Sequence, residues 1–314
     1  MNDQFLTDEI LNAVPRALGL TNRQESKETY GCADRAYWHY CQIDFANARF
    51  QEAGLLLSYA WVTPVPGSPY YRNARVLNWI VGIWSWWLGA RTADGAVAET
   101  YPNERSFCAT AFSAASFIES TFLLRDAYNW RPMLQSAGST MHWLATHENL
   151  DAANQIAASY KALAGYATLT GKDAHRTWAV QRRDTLLATM NDGVLPEYGD
   201  FDSGYQSLSL AEMSATERLF GSDPKIAAAK QDGLRALRDR FTVPAGFEPE
   251  LNARRTQYLF PSGLIEAEDF LEDDIMPMIE AGRILRPGWM DDRYFIGLAT
   301  DYLRLLCLRK GTIN

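Results

Sequence analysis

The sequence is poor in cysteine. Its 314 residues contain four, Cys32, Cys41, Cys108 and Cys307, which are scattered without a CxxC motif or a Cys/His pair at ligand spacing. A zinc site of the usual kind is therefore not predicted. We expect free thiols, no bound metal and no cofactor.

The sequence also predicts neither a leader nor a membrane span. The first ten residues, MNDQFLTDEI, contain no basic segment followed by an apolar one, so no signal peptide is predicted. The most apolar run, residues 76–90, is shorter than the about 20 residues that cross a bilayer, and it contains Asn78 and Ser85. We expect a cytoplasmic protein, or a periplasmic one if a leader has been removed, with no membrane partner.

Basic residues are fewer than acidic residues. The chain has 30 Lys and Arg against 38 Asp and Glu, which gives a formal net charge of −8. Non-specific nucleic-acid binding needs a basic field, so nucleic acid is not an expected partner. An anionic ligand would have to meet a local cluster of arginines.

Apolar and aromatic residues are abundant. They make up 47% and 12% of the chain, with ten Trp and 15 Tyr, as is typical of a packed globular protein. An aromatic ring with an apolar face and a polar edge suits the C–H faces and hydroxyls of a sugar. Filling of a wide core is the alternative for any one ring.

Apolar residues recur at helical spacing along most of the chain, and short loops alternate with long ones. This pattern predicts an all-α fold of stacked helical hairpins, either an α/α toroid or an α-solenoid. Because the unusual residues fall in the longer loops, at every second connection, we favour the toroid. No linker divides the chain, so residues 1–314 are expected to form one domain with a lead-in at 1–30. The helices are expected at 45–61, 70–90, from 104, 130–144, 150–169, 173–190, 203–220, 224–241, 263–281 and 291–308, with short extended pieces at 193–198 and 246–259.

The first of four candidate functional loops is DRAYWHY at 34–40, which is too polar for a core helix and too aromatic for a solvated loop. One interpretation is a sugar-binding face, on which Trp38 stacks while Arg35 and His39 form hydrogen bonds. The other is a structural clamp in which Arg35 pairs with an acid.

The second loop is ETYPNERS at 99–106. Asn103 as helix N-cap and Glu104 in the first turn have a complete structural explanation. Tyr101 and Arg105 do not, and a helix N-terminus at a cleft suits an anionic group.

The third loop, MHWLATHEN at 141–149, contains two of the four histidines. His142 and His147 do not have the i, i+4 spacing of a helical metal pair. His147 is a candidate for proton transfer and Asn149 for binding a carboxylate, although a loop histidine is often structural.

The fourth loop, at 195–206, concentrates acids and tyrosines. Asp202 or Ser203 can cap the next helix, whereas the remaining acids, Glu197 and Asp200, can bind a cation, pair with arginine or act as acid/base. Tyr198 and Tyr205 lie in the same loop. A calcium loop would need more oxygen ligands at regular spacing.

The segment 250–258 adds Arg254 and Arg255 beside Tyr258. Arginine recognises a carboxylate through two parallel hydrogen bonds. This segment therefore supplies the local positive charge that an acidic sugar would require.

At these segments the sequence resembles the heparinase II/III-like family, the α/α-toroid polysaccharide lyases and their relatives in bacterial polysaccharide gene clusters. The resemblance is carried by DRAYWHY (34–40), ETYPNERSF (99–107), PEYGDFDSGYQSLSL (196–210), ELNARRTQYLFPSG (250–263) and DDRY (291–294). It implies an incomplete α/α toroid. The large β-sandwich that usually follows the toroid in this family is not expected in this chain.

The resemblance also implies a reaction. Such lyases remove the proton α to a uronate carboxylate and expel the 4-linked sugar. By position, Tyr205 would be the acid/base, Arg254 or Arg255 the carboxylate anchor, and His147 and Asn149 would lie near the family's Asn-His segment. The order here is His147-Glu148-Asn149, whereas the family's Asn and His are adjacent.

Three hypotheses follow. The leading one is a lyase, or a related uronate C5-epimerase, acting on a poly- or oligosaccharide. The second is a glycoside hydrolase with two carboxylates among Glu104, Glu197, Asp200 and Asp202, and the third is a non-catalytic glycan-binding protein of polysaccharide assembly. The candidate catalytic residues are Tyr205, His147, Tyr101 and Glu197, and the candidate substrate-binding residues are Asn149, Arg254, Arg255, Arg105, Glu104, Trp38, His39, Arg35, Tyr198, Asp202 and Tyr258.

Overall fold

The computed structural model describes residues 3–241 and 246–312, and this part of the chain is all-α, as predicted. It contains isolated β-bridges but no β-strand. The α-helices are α1 (Asp3–Leu20), α2 (Arg35–Trp38), α3 (Ala53–Val62), α4 (Ala74–Gly89), α5 (Phe107–Leu123), α6 (Arg131–Ser136), α7 (Gly138–Thr146), α8 (Ala153–Thr170), α9 (Asp173–Thr189), α10 (Ser203–Phe220), α11 (Pro224–Phe241), α12 (Met276–Glu280) and α13 (Tyr294–Arg309). Short 3₁₀ turns lie at Ala48–Glu52, Pro249–Leu251, Pro261–Leu264 and Pro287–Trp289, and a π-helical turn lies at Phe270–Ile275.

Several helix ends differ from the expectation. The helix expected from 104 begins at Phe107, because the Ser106 hydroxyl accepts the Ala109 N–H at 3.1 Å and acts as N-cap. Asn103 is not the cap and lies in a left-handed turn at φ 60°. The lead-in expected at 1–30 contains the helix α1, which runs through Pro15 and packs its buried face on α13.

Two expected helices are divided. The segment 130–144 forms α6 and α7 with a join at Ala137. The segment 263–281 forms the 3₁₀ turn, the π-helical turn and α12. The extended pieces expected at 193–198 and 246–259 are loops, and the first contributes only isolated bridges such as Glu197 with Asp200.

The helix contacts form a closed circuit. α3 packs on α5, α5 on α8, α8 on α10, α10 on the turn Pro261–Leu264, that turn on α13, and α13 on α3. A second set lies outside this circuit, with α4 on α3, α7 on α5, α9 on α8, α11 on α10 and α1 on α13. An α/α toroid would produce these contacts, and its overall geometry stays a prediction.

The helices of the inner circuit meet at a buried charge network. Lys161 of α8 lies 2.5 Å from Glu119 of α5 and 2.5 Å from Glu212 of α10. Arg304 of α13 lies 2.9 Å from Glu119, and the Tyr59 hydroxyl of α3 donates to the same carboxylate. Burial alone would raise the pKa of Glu119, but Arg304 and Lys161 outweigh burial and lower it. The inner helices therefore share one set of paired charges, which closes the floor of the cleft described below.

Two sequence-based expectations about the chain are answered directly. Among residues 3–241 and 246–312, no helix is long and apolar enough to cross a membrane. All four cysteines are free thiols, of which Cys32 and Cys307 are buried and Cys41 is exposed.

Candidate functional site

A cleft of about 340 Å³ opens where the N-terminal ends of the inner helices come together. Four helix N-termini point their positive dipole ends toward this region, which favours a negatively charged group there. The lining residues from the first two turns of these helices are Cys108 and Phe112 on α5, Asn154 and Gln155 on α8, Tyr205 and Leu208 on α10, and Tyr294 and Gly297 on α13.

Glu197 is one of the buried carboxyl groups of the cleft. Its loop is fixed by bridges to Ala152 and Asp200, and the Asn154 side-chain amide donates to its carboxylate. Arg254 lies 3.9 Å from the other carboxylate oxygen. Burial, with the nearby charge of Asp202, raises the pKa of Glu197 to about 7, although Arg254 and Asn154 oppose the rise. Both protonation states of Glu197 are therefore populated near neutral pH.

Three tyrosines, Tyr205, Tyr258 and Tyr294, form a cluster at the cleft. The hydroxyls of Tyr205 and Tyr294 are 3.2 Å apart, and the ring of Tyr258 lies 5.9 Å from that of Tyr294. Burial, together with Tyr258 and Tyr294, raises the pKa of Tyr205 above its usual range. Tyr205 thus keeps its proton at neutral pH and can act as a proton donor.

Arg254 and Tyr198 form the mouth of the cleft. The Arg254 guanidinium lies 4.9 Å from the centre of the Tyr198 ring, and both side chains are about half exposed. Tyr198 has φ 52°, a left-handed conformation that is unfavourable for a side chain of this size. Its backbone N–H donates to the Asp151 carbonyl at 2.5 Å, which holds the ring at the rim.

Asp202 positions this machinery but does not face the cleft. One of its oxygens caps α10 by accepting the Tyr205 N–H at 3.1 Å, and it also accepts the Thr256 hydroxyl at 2.5 Å. The other oxygen accepts the backbone N–H of Arg254 at 3.0 Å. The side chain is fully buried, so its oxygens serve the protein and not a ligand.

Sequence reasoning missed the ion pairs that line the cleft. Arg49 pairs with Glu52, and Arg293 at the start of α13 pairs with Glu99 in the loop before α5. The only sequence signal for the first pair is its i, i+3 spacing, which looks like an ordinary helix face. Four guanidinium groups and four carboxyl groups line the cleft, namely Arg49, Arg254, Arg293, Arg304, Glu52, Glu99, Glu197 and Glu212.

This lining has no net charge when Glu197 is ionised and one positive charge when Glu197 is protonated. The thiol of Cys108 also faces the cleft and accepts a hydrogen bond from Arg49 at 3.1 Å. Burial raises the pKa of Cys108 to about 11, so the sulfur stays protonated and is no nucleophile at neutral pH.

The loop 34–40 lies elsewhere and acts as a clamp. Arg35 donates to the Gly19 carbonyl at 3.2 Å, and the Trp38 indole N–H donates to the Leu20 carbonyl at 2.7 Å. The His39 ring packs between Trp38 and Tyr40. None of these side chains lines the cleft, and Arg35 binds a backbone carbonyl, whereas the clamp interpretation predicts an acid.

The loop 99–106 reaches the cleft only through Glu99 and Thr100. The Glu104 carboxylate accepts the backbone N–H groups of both residues, at 2.9 and 2.6 Å, and so folds the loop. Tyr101 is 68% exposed and Arg105 pairs with Asp94 on the surface. Tyr101, Glu104 and Arg105 are therefore outside the cleft.

His147 also lies outside the cleft. Its ring stacks on Trp143 at 4.3 Å, and its Nδ1 lies 2.9 Å from the Trp143 carbonyl. Asn149 donates to Gln155, a lining residue, at 3.1 Å, so it is one contact away. Arg255 occupies a left-handed turn at φ 51° and does not line the cleft.

The structure thus brings Glu197, Tyr198, Tyr205 and Arg254 together in one cleft, with Tyr258 and Asp202 packed behind them. In the described part of the chain, no group of three or more His, Cys, Asp or Glu is arranged to hold a metal ion.

Comparisons with known protein families, with characterised proteins and with solved structures found no match to this chain. The resemblance to the heparinase II/III-like family therefore stays a prediction.

Proposed function

We propose that this chain is a carbohydrate-active enzyme that cleaves a uronate-containing sugar chain by β-elimination. One observation carries the proposal: a carboxyl group that titrates near neutral pH, a protonated tyrosine and an arginine line the same cleft. These groups are Glu197, Tyr205 and Arg254.

The reaction needs three functions. A base removes the C5 proton, the electron pair forms the C4=C5 double bond, and the C4–O bond breaks while an acid protonates the departing oxygen. Because the C5 proton is acidic only when the neighbouring carboxylate is neutralised, a cation must bind that carboxylate. Arg254 serves as the cation, ionised Glu197 as the base, and Tyr205 as the acid.

The surroundings of Glu197 support this assignment. Its carboxylate is held by Asn154, so its orientation does not depend on Arg254 alone. When Arg254 binds a substrate carboxylate, Glu197 keeps one hydrogen bond while an oxygen remains free to accept a proton. Tyr294 holds the Tyr205 hydroxyl at 3.2 Å and can fix its direction.

A glycoside hydrolase is the second candidate. A carboxyl group with a pKa of about 7 also suits a general acid, and Glu52, Glu99 and Glu212 line the same cleft. Each of these three is engaged by an arginine, whereas a hydrolase requires one of them to act as nucleophile or base. For that reason we favour the lyase.

The proposal is tested by a screen against uronate-containing polysaccharides with two detectors. A lyase produces an unsaturated uronate that absorbs in the near ultraviolet, whereas a hydrolase produces new reducing ends without that absorbance. We expect absorbance with the wild-type chain and a much slower rise of absorbance with Glu197→Gln. Reducing ends without absorbance would favour the hydrolase, and saturable binding without any product would favour a glycan-binding protein.

A further inference from the structure

A second, wider groove of about 850 Å³ lies at the other ends of α5 and α8. It is bordered by the last turns of these two helices and by the segments that follow them, including α6 and the start of α9. Each of the two helices is about 25 Å long, and the groove shares no lining residue with the cleft. It is therefore a separate surface.

The groove is positively charged in a chain whose formal net charge is −8. Arg125, Arg131 and Lys172 line it, and none of its lining residues is acidic. Within the described residues, the side chains of Arg131 and Lys172 have no hydrogen bond and no ion pair. Arg125 donates to the Phe122 carbonyl at 2.8 Å, and its acidic neighbour Asp126, 4.0 Å away, points outside the lining.

Favourable interaction with helix C-termini explains only part of this charge. Lys172 follows the C-terminus of α8 and Arg125 that of α5, where cations are stabilised by the helix dipole. Arg131 is the first residue of α6, the end at which a cation gains nothing from the dipole. Its position in the groove is better explained by a ligand.

The groove also offers aromatic rings. Tyr128 is 39% exposed and packs edge-on against Trp130 at 5.0 Å, so its outer face is open. The Trp130 indole N–H is already bound to the Leu124 carbonyl, so Trp130 supports the Tyr128 ring and leaves it to contact a ligand. Tyr166 lies on the opposite side of the groove, beside the His175 ring at 4.6 Å.

One buried polar atom in the lining has no partner. The Thr121 hydroxyl makes no hydrogen bond to any described residue, although the side chain is 1% exposed. A buried hydroxyl without a partner is unfavourable, and a ligand hydroxyl would satisfy it. His175 adds a neutral ring, because burial and the charge of Lys172 lower its pKa, and its Nδ1 is occupied by Thr170 at 2.7 Å.

We propose that this groove binds a short acidic saccharide, independently of the cleft. The three cations recognise its carboxylate or sulfate groups, Tyr128 packs on the face of a sugar ring, and Thr121 takes a hydroxyl. A nucleic acid has the same charge and also stacks on rings, but the net charge of −8 disfavours binding a long polyanion. The inference uses no residue of the cleft and holds whether or not the cleft is catalytic.

The test measures affinities by calorimetry at low salt for hexasaccharides of galacturonate, hyaluronan and chondroitin sulfate, with maltohexaose and hexathymidylate as controls. All proteins carry Arg254→Ala, which weakens saccharide binding at the cleft, so that the measured affinity reports on the groove. We expect at least one acidic hexasaccharide to bind, and the pair Arg131→Glu with Lys172→Glu to weaken it by about tenfold or more. The matched control is the pair Lys27→Glu with Arg75→Glu, two exposed residues outside the groove that give the same charge change, and it is expected to bind normally.

A variant that removes one aromatic ring tests the proposal separately, in case the charge reversals impair folding. Tyr128→Ala removes an exposed ring and is expected to weaken binding several-fold with an unchanged melting temperature. The proposal is overturned if no acidic hexasaccharide binds, if the groove variants bind as the control pair Lys27→Glu with Arg75→Glu does, or if hexathymidylate binds more tightly than every sugar. None of these results would bear on turnover at the cleft, which is measured with Arg254 intact.

Discussion

Glu197 is the group in the cleft that changes charge near neutral pH, because burial raises its pKa to about 7. A base must be ionised, and the ionised fraction of Glu197 grows as pH rises through that value. We therefore expect kcat/KM to rise with pH through about 7 and then level off. A pH–rate profile checks this, and Glu197→Gln should lose the ascending limb. A profile that falls through pH 7 would instead assign Glu197 as a general acid.

Tyr205 keeps its proton at neutral pH, so removal of its hydroxyl should affect the chemical step and not substrate binding. We expect Tyr205→Phe to lower kcat by about 10²–10⁴-fold with little change in KM. Tyr101→Phe is the matched control, since that ring is exposed outside the cleft. Full turnover by Tyr205→Phe would remove the tyrosine from the reaction.

At the scale of elements, the N-terminus of α10 links helix formation to the cleft. Asp202 caps the helix and also holds the backbone of Arg254, so one buried carboxylate fixes two parts of the site. We expect Asp202→Ala to lower the free energy of unfolding by about 1–3 kcal/mol and to reduce turnover.

The control for this substitution is Asn73→Ala, which removes the N-cap of the outer helix α4. We expect it to cost about 1 kcal/mol of stability while leaving turnover unchanged. Denaturant unfolding and kcat, measured on both variants, separate a positioning role from a purely structural one. Equal turnover in the two variants would contradict the positioning role of Asp202.

The same caps explain which elements were predictable. α10 and α11 begin and end where expected, because Asp202 and the pair Asp223-Pro224 are strong start signals. The join at Ala137 and the π-helical turn at Phe270–Ile275 carry no comparable signal. They arise from packing between distant helices, which periodicity alone does not reveal.

The candidate site was predictable to a similar extent. Glu197, Tyr198, Tyr205 and Arg254 stood out because acids, tyrosines and arginines are concentrated in their two loops. Arg49, Asn154, Arg293 and Tyr294 lie in ordinary helical contexts, and only the circuit of helices brings them to the cleft. The prediction that His147 lies in the site was wrong, because the ring of His147 contacts Trp143 in the preceding helical turn and does not reach the cleft.

For the whole molecule, the buried charge network should control stability. Lys161 is the cation between Glu119 and Glu212, and its removal leaves two buried carboxylates with Arg304 as their remaining cation. We expect Lys161→Met to lower the free energy of unfolding by about 3–5 kcal/mol, because an uncompensated buried charge is expensive.

An exposed ion pair provides the comparison. Arg176 and Asp173 lie 3.2 Å apart on the surface of α9, and Arg176→Ala should leave stability nearly unchanged. Denaturant unfolding of both variants measures the difference. Similar midpoints would mean that the network does not hold the inner helices together.

The central claim is that Glu197 and Tyr205 act on one sugar ring within one cleft. The most direct measurement is the rate at which unsaturated product forms with the wild-type chain, Glu197→Gln, Tyr205→Phe and the double variant. Because groups that act as a unit are not additive, the double variant should be no slower than the more impaired single variant. Losses that multiply, or a wild-type chain that forms no unsaturated product from any uronate polymer, would contradict the account.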